Sequence, residues 1–234
     1  VIHSDAFYAV ETFSQWSVDE IVLLNVSRER SSAVGFLRVV ERASETCFVP
    51  LTVGGWIDET DYGARLISAG ADKLCLNTAF VRKIEVVHSL AKRFGSQCIV
   101  ASIDATDDCS SSPAVAVDRG AEVVAVKPAV HARRCQEAGA GEILLNSIAH
   151  DGARQGYDLT TLKTVTDAVQ IPVIAFGGVM AWSHLAEGLD AGASGVAAAN
   201  AFHYREQATR HAKSFLASSG YDVRTEGQIL LTSE

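Results

Sequence analysis

An internal repeat restricts the possible folds of this sequence more than any other feature. The segment 50–55 (PLTVGG) resembles 172–178 (PVIAFGG), and 68–72 (SAGAD) resembles 190–194 (DAGAS). Corresponding positions keep an almost constant spacing, 123 residues for Gly54 and Gly177 and for Asn77 and Asn200, and 122 for Glu20 and Glu142. Chance matches would not keep one spacing across four segments, so the sequence predicts two similar halves.

Short β-rich runs alternate with amphipathic segments of helical length. The predicted strands are Glu20–Val26, Phe48–Val53, Lys73–Asn77, Gln97–Ile103, Glu142–Ile148, Ile171–Phe176 and Gly195–Ala199. The predicted helices are Ser32–Ser44, Thr60–Ala69, Ile84–Phe94, Ala129–Ala138, Leu159–Val169 and Trp182–Ala191. Most of the strands are almost continuously apolar, as is typical of parallel strands covered on both faces. The pattern predicts an α/β fold with a parallel sheet.

Repeat and alternation together favour an α/β fold in which two half-barrel repeats form one (β/α)8 TIM barrel over residues 1–234. An open doubly wound sheet is the alternative, but the sequence has no supporting GxGxxG motif. Only seven strands fit the pattern, so the first strand is expected to be absent from this chain. Alternatively, the apolar segment Gln228–Thr232 would take the place of the first strand in the barrel.

Residues 105–128 interrupt the alternation and predict a surface hairpin around Asp118-Arg119-Gly120, either a plain excursion or a loop over the active site.

Composition excludes several classes of protein. The 234 residues are 48% hydrophobic and carry a net charge of −8, which does not suit a nucleic-acid binder. No apolar run reaches the roughly 18 residues that a membrane span needs, and no secretion signal is visible, so we expect a cytoplasmic protein. The five cysteines form no CxxC pair, which predicts reduced thiols, no metal site and no cofactor.

In a barrel of this kind, chemistry occurs where the strands end. Equivalent strands end in Gly54-Gly55 and Gly177-Gly178, and the next pair ends in Asn77-Thr78 and Ala199-Asn200. Glycine lets a ligand approach bare backbone N–H groups. Two such sites at one opening predict a ligand with a phosphate at each end.

Two carboxylates follow other strands. Asp104 comes directly after a predicted strand and is a candidate general acid or base, with a helix cap or loop anchor as the alternative. Asp151 precedes Gly152 in a loop, where it would either help to bind phosphate or stabilise a turn.

These segments resemble the cyclase subunit of imidazole glycerol phosphate synthase (HisF) over essentially the whole chain. The resemblance is carried by 50–57 (PLTVGGWI), 69–78 (AGADKLCLNT), 94–104 (FGSQCIVASID), 139–158 (GAGEILLNSIAHDGARQGYD) and 171–178 (IPVIAFGG). It implies a carbon–nitrogen lyase of histidine biosynthesis. The enzyme would take ammonia from a HisH-like glutaminase subunit and convert a ribulosyl bisphosphate to imidazole glycerol phosphate and aminoimidazole carboxamide ribotide.

The resemblance also implies roles for individual residues. Asp104 matches one of two catalytic Asp residues, and the other would lie on the absent first strand. Phosphate-site residues of the family are matched by Asn77, Thr78, Asp151, Gly152, Gly178, Ala199 and Asn200, and the repeated glycine turns add Gly55 and Gly177 to the predicted phosphate-binding residues. A charged ring through which ammonia is thought to enter is matched by Glu20, Lys73 and Glu142; a plain salt-bridge cluster is the alternative.

This sequence departs from the family pattern mainly around the expected substrate. The departures are Trp56 for a phosphate-site Gly, Phe176 for a small residue, Asn200 for Ser, and Asn25 and Ala149 for Asp. They leave a second hypothesis open, in which a related barrel without cyclase activity passes ammonia to a sugar amidotransferase of surface-polysaccharide synthesis. A scaffold barrel without activity is a third.

Overall fold

The computed structural model describes residues 6–108, 111–203 and 207–224. Its nine strands are β1 (Ile21–Leu24), β2 (Leu51–Gly54), β3 (Lys73–Leu76), β4 (Ile99–Asp107), β5 (Pro113–Val117), β6 (Glu122–Val124), β7 (Glu142–Ser147), β8 (Val173–Phe176) and β9 (Gly195–Val196). They form one sheet with the order β1-β2-β3-β4-β7-β8-β9. Every neighbouring pair on this path is parallel, whereas β5 pairs antiparallel with β4 and β6.

Helices connect the parallel strands. They are α1 (Ala6–Gln15), α2 (Ser32–Ser44), α3 (Thr60–Ser68), α4 (Ala79–Arg82), α5 (Ile84–Phe94), α6 (Pro128–Glu137), α7 (Leu159–Thr166), α8 (Trp182–Asp190), α9 (Asn200–His203) and α10 (Ala208–Ser218). A parallel neighbour requires such a crossover, because a tight turn cannot bring the chain back to the same end of the sheet.

We infer that the sheet is curled from contacts between its two ends. β1 and β9 are six strand-to-strand steps apart on the path, which in a flat sheet would separate them by about 29 Å. Yet α10, which follows β9, contacts the segment just before β1. Lys213 Nζ lies 2.8 Å from Asp19 Oδ1, and Thr209 Oγ1 donates a hydrogen bond to the carbonyl oxygen of Trp16. The curled parallel sheet is that of a TIM-barrel-like fold.

Two separate apolar clusters follow from this curvature. The larger one lies between the outer face of the strands and the helices, and it includes Leu74, Ile103 and Val165, all fully buried. The smaller one lies inside the curl, where Cys75, Val100 and Leu144 pack together with Ile174 and Phe176. Alternate residues of each strand therefore supply the two faces.

The structure confirms the predicted alternation and corrects some of its boundaries. Helices α2 and α5 match their predicted ranges to the residue. The strand predicted to end at Ile103 continues to Asp107, so Asp104 lies within β4. It continues because β5 pairs with it from Asp104 to Asp107 and supplies the hydrogen bonds that a loop would lack.

The 105–128 excursion contains the predicted hairpin, formed by β5 and β6. Its first strand is not on the surface, however, because Ala114 to Val117 are all buried against the extension of β4. Its turn uses left-handed backbone at Asp118 (φ 52°) and Arg119 (φ 58°).

Helices α1 and α10 had no counterpart among the predicted elements. In the described part of the chain, β1 and β9 are not paired with each other, so a closed barrel and its two-repeat origin remain predictions. The segment Gln228–Thr232, the alternative for the missing first strand, lies outside the described residues, as does Cys109. None of the described helices is both long and apolar enough to cross a membrane.

Candidate active site

Asp104 projects into the curl of the sheet near the end where the strands terminate. Its side chain is held by two amides from neighbouring strand ends. Asn146 Nδ2 donates to Asp104 Oδ1 at 3.1 Å, and Asn77 Nδ2 donates to Asp104 Oδ2 at 3.4 Å. Asn146 lies directly opposite Asp104 in the β4–β7 ladder. The carboxylate is therefore fixed on both of its oxygen atoms.

The surroundings of Asp104 disfavour its charged form. Burial raises the pKa of the Asp104 carboxyl above its ordinary value, the hydrogen bond from Asn146 lowers it in part, and the nearby charge of Asp151 raises it again. The net direction is upward, because an amide supplies no charge to offset the lost hydration. An acid whose pKa moves toward neutral pH is suited to general acid–base catalysis.

Three charged side chains meet at the opposite end of the curl, where the strands begin. Lys73 Nζ lies 2.7 Å from Glu20 Oε2 and 2.7 Å from Glu142 Oε2. Thr52 Oγ1 donates a further hydrogen bond to Glu20. The structure thus brings together the three residues that the family resemblance implied as a ring.

Both glutamates stabilise the charged form of Lys73. Burial lowers the pKa of Lys73, but its hydrogen bonds and ion pairs with Glu142 and Glu20 outweigh burial, so that the pKa lies above its ordinary value. Lys73 therefore keeps its charge at neutral pH.

An apolar layer separates the two ends. Glu142 and Asn146 are four residues apart on the same face of β7, which corresponds to about 13 Å. Leu144 lies between them and packs against Cys75 and Val100. Burial raises the pKa of the Cys75 thiol to about 12, so it is not a nucleophile.

The rim of the first half contains Gly55, Asn77 and Thr78, three of the residues predicted to bind phosphate. The side chains of Asn77 and Thr78 are hydrogen-bonded within the protein, since Thr78 Oγ1 accepts from the backbone N–H of Asp118 at 2.9 Å. Beside Gly55, Trp56 adopts a left-handed backbone conformation (φ 58°). Such a conformation is uncommon for a bulky residue.

The rim of the second half is built differently. Gly177 and Gly178 are buried and follow β8. Gly178 must lack a side chain, because a Cβ there would lie 2.2 Å from the carbonyl oxygen of Gly156. Asp151 and Gly152 lie in the exposed loop after β7, and the charge of Asp151 reaches Asp104. Ala199 is exposed just before α9; of Asn200 only the backbone is described, as the first residue of that helix.

The remaining departures have different surroundings. Phe176 points inward and packs against the small apolar cluster. Asn25 Nδ2 donates to Ser32 Oγ at 3.0 Å, and Asn25 accepts from the backbone N–H of Ser27 at 3.1 Å, so it orders the loop after β1. Ala149 lies exposed in the loop after β7.

Sequence reasoning missed two residues of this region. Asn146 was visible as a polar residue near the end of a predicted strand, which could have placed it at the rim. Arg119 gave no such signal, because only the folding of the hairpin brings it to Trp56, with its guanidinium carbon 3.9 Å from the ring centroid.

Within the described residues, no group of three or more His, Cys, Asp or Glu side chains is arranged to hold a metal ion. A family model described as "Histidine biosynthesis protein" matches residues 1–208, which is most of the chain.

Proposed function

The chain belongs to the histidine biosynthesis protein family, and we propose that it directs ammonia through its barrel to an acceptor beside Asp104. The observation that carries this proposal is the charged cluster of Glu20, Lys73 and Glu142 at one end of the same strands that hold Asp104 at the other. Charged side chains are unusual inside a barrel at the end where the strands begin, and a route by which a small polar molecule enters would explain them.

The interior between the two ends suits neutral ammonia. Cys75, Val100 and Leu144 are apolar and buried, so a bare ammonium ion would pay a large desolvation cost there. Ammonia pays much less. A glutaminase partner docked over the charged end would release ammonia directly into this route.

Close to Asp104 there is an unused hydrogen-bond acceptor. Asn146 Oδ1 is buried and has no hydrogen-bond partner among the described residues. It lies on the same amide that donates to Asp104, so arriving ammonia can donate one N–H to it while Asp104 accepts or supplies a proton. This arrangement supports general acid–base chemistry at a carbon–nitrogen bond.

The first candidate reaction is the one that the family resemblance implies. Ammonia would add to a ribulosyl bisphosphate that carries the aminoimidazole carboxamide ribotide as its leaving group, and closure of the imidazole ring would release this ribotide and water. Asp104 would act as one acid–base group, and Gly55, Asn77, Thr78, Gly178 and their neighbours would hold the two phosphates.

The test supplies ammonium chloride at alkaline pH and the ribulosyl bisphosphate to the full chain, and follows the release of the carboxamide ribotide. We expect turnover that Asp104→Asn abolishes. With a glutaminase partner and glutamine instead, Lys73→Met should lower turnover much more than it does with free ammonium chloride. Absence of turnover at saturating ammonium chloride would contradict the cyclase reaction.

The second candidate is an ammonia-delivering barrel without cyclase activity, which serves a separate sugar amidotransferase. The observation that favours it is the rim of the first half, where the side chains predicted to bind phosphate are already bonded to the protein. In this case the chain should stimulate its glutaminase partner and release ammonia, but leave the bisphosphate unchanged.

A further inference from the structure

The curled sheet has two free edges that face each other. Its path begins at β1 and ends at β9, and neither strand has a second strand neighbour among the described residues. Seven parallel strands lie on the path, whereas a closed barrel of this class has eight. One strand position, called the gap here, therefore remains between β9 and β1.

The β1 side of the gap offers both backbone groups and apolar side chains. The N–H groups of Ile21 and Asn25 donate to carbonyl oxygens on the β2 side, at 3.0 and 2.9 Å. Because alternate residues of a parallel strand bond to opposite neighbours, the peptide groups of Val22 and Leu24 point into the gap. Their side chains lie on the inner face with Glu20 and remain 38% and 39% exposed. Such an edge is a template for another strand.

The chain leads to the gap after α10. The hydroxyl of Tyr221 donates to Asp190 Oδ1, at the end of α8, at 2.8 Å. Three residues further on, Arg224 Nη2 donates to the carbonyl oxygen of Val18 at 2.9 Å, and Nε lies 3.0 Å from Asp19 Oδ1. Val18 and Asp19 come shortly before β1. Arg224, the last described residue, therefore lies beside the end of the gap where the strands begin.

A strand that starts there would run parallel to both of its neighbours. Helix α10 packs on the outer side of the sheet, since Ala212 and Leu216 belong to the larger apolar cluster. A right-handed crossover from β9 through an outer helix moves the next strand one position further along the sheet, which is into the gap. Residues 225–227 allow about 14 Å between Arg224 and Gln228, and one strand spacing is only about 4.8 Å.

The segment Gln228–Thr232 has the alternation that this position requires. From its beginning to its end, the inner face of β7 is polar, apolar and polar, with Glu142, Leu144 and Asn146. Gln228, Leu230 and Thr232 repeat this order. Ile229 and Leu231 then face outward, toward α10 and the segment after α1, which contact each other.

We propose that Gln228–Thr232 forms a further parallel strand in the gap and closes the barrel. Gln228 lies at the charged end, Leu230 joins the apolar layer and Thr232 reaches the rim. The gap is four strands from β4 in either direction, so Thr232 lies across the opening from Asp104. The wall becomes continuous around the proposed route of ammonia, but the inference does not depend on that route.

Amide hydrogen exchange, read by NMR at single residues, tests the proposal in the full chain and in a chain that ends at Arg224. The N–H groups of Val22 and Leu24 should exchange at least about 100-fold more slowly in the full chain, because the new strand accepts their hydrogen bonds. The N–H groups of Ile21 and Asn25 bond toward β2 and should be protected in both chains. They show that the shortened chain has folded.

Two results would overturn the inference. Fast exchange of Val22 and Leu24 in both chains would show that the edge stays open. Slow exchange in both chains would show that something else occupies the gap, either residues 1–5 or a second copy of the chain. Sedimentation velocity separates these two occupants, because a second copy doubles the mass.

Point variants keep the test independent of the shortened chain. Leu230→Asp puts a carboxylate into the apolar layer and should lower the melting temperature by about 5 to 10 °C. The matched control is Ser233→Asp, just after the proposed strand, which should change it by less than about 1 °C. A Leu230→Asp chain as stable as the control would show that the segment is not part of the barrel and would overturn the inference.

Discussion

Both ends of the curled sheet hold partly or largely buried carboxylates, but at one end a cation pairs with them and at the other only neutral amides do. Where the strands begin, Glu20 and Glu142 share the ammonium group of Lys73, and these ion pairs outweigh burial. Near the strand ends, Asp104 is held only by amides, and burial dominates. A cation partner keeps a charge fixed, whereas an amide fixes the position of a carboxyl group but leaves it free to titrate. The four predictions that follow test this difference.

The largest effect is expected for Asp104→Asn, which keeps the shape and removes the proton-transferring group. Ammonium-dependent turnover should fall at least about 100-fold. The stability should not fall with it. Because the pKa of Asp104 is raised in the folded state, charging it costs stability as the pH rises from the unfolded value of about 3.9 through the folded pKa. Urea unfolding at pH 7 should therefore show an unchanged or higher free energy of unfolding. A clear loss of stability would mean that the Asp104 charge is structural.

At the opposite end, Lys73→Met should lower the free energy of unfolding by about 2 to 3 kcal/mol, because it leaves two carboxylates facing each other without a cation. In the wild type, this contribution should persist at neutral pH. It should be lost only as the pH rises above about 10.4 through the raised pKa of Lys73.

The control for this variant is Lys163→Met, which removes an exposed lysine of α7 that pairs at 2.6 Å with Asp167, just after the helix. Such surface pairs contribute little, so its unfolding curve should resemble the wild type. Equal effects of the two variants would contradict the special role of the cluster.

A smaller effect is expected for Asn146→Ala, which removes the hydrogen bond that lowers the pKa of Asp104. The pKa should rise further, and the midpoint attributed to Asp104 in the pH–rate profile should move upward. The rate should fall about 3- to 10-fold. Asn25→Ala, which changes an amide directly after β1 that is bonded to Ser32 instead, should leave that midpoint unchanged. An identical shift of the pH–rate midpoint in both variants would contradict the specific effect of Asn146 on Asp104.

The smallest effect is expected between the two ends, at Cys75. Cys75→Ala should cost about 1 kcal/mol in stability and leave turnover within about twofold, because the thiol only fills the apolar layer. In the folded wild type, a thiol reagent at pH 8 should label neither Cys75 nor Cys135, whose thiols both have their pKa raised to about 12 by burial. Rapid labelling of Cys75 would show that the layer is open to water.

Much of the fold could be predicted from the pattern of the sequence. Helices such as α2 and α5 were predicted to the residue, because an amphipathic segment between two apolar strands is a local signal. The extension of β4 to Asp107 could not be predicted in this way. It depends on pairing with β5, since Asp104 and Asp107 are of a residue type that is depleted in strands.

The candidate site divides in the same manner. Asn77 and the glycines at 177 and 178 follow strands, Asp104 lies in β4 level with the end of β7, and the parallel order brings these positions to one edge of the sheet. The contact between α10 and the segment before β1, made by Lys213 and Asp19, could not be predicted, because these two residues are 194 positions apart in the chain.

The sequence by itself determined the strand–helix alternation, the parallel sheet and the residue types available at the strand ends, since these depend on local periodicity and on a repeat visible in the letters. Only the tertiary structure decided how those residues are used. It set Lys73 between two glutamates, left Asp104 with amides alone, and placed Arg119 over Trp56. These outcomes depend on distances between segments far apart in the chain, and burial and pairing, which set the charge of a group, exist only once those segments have packed.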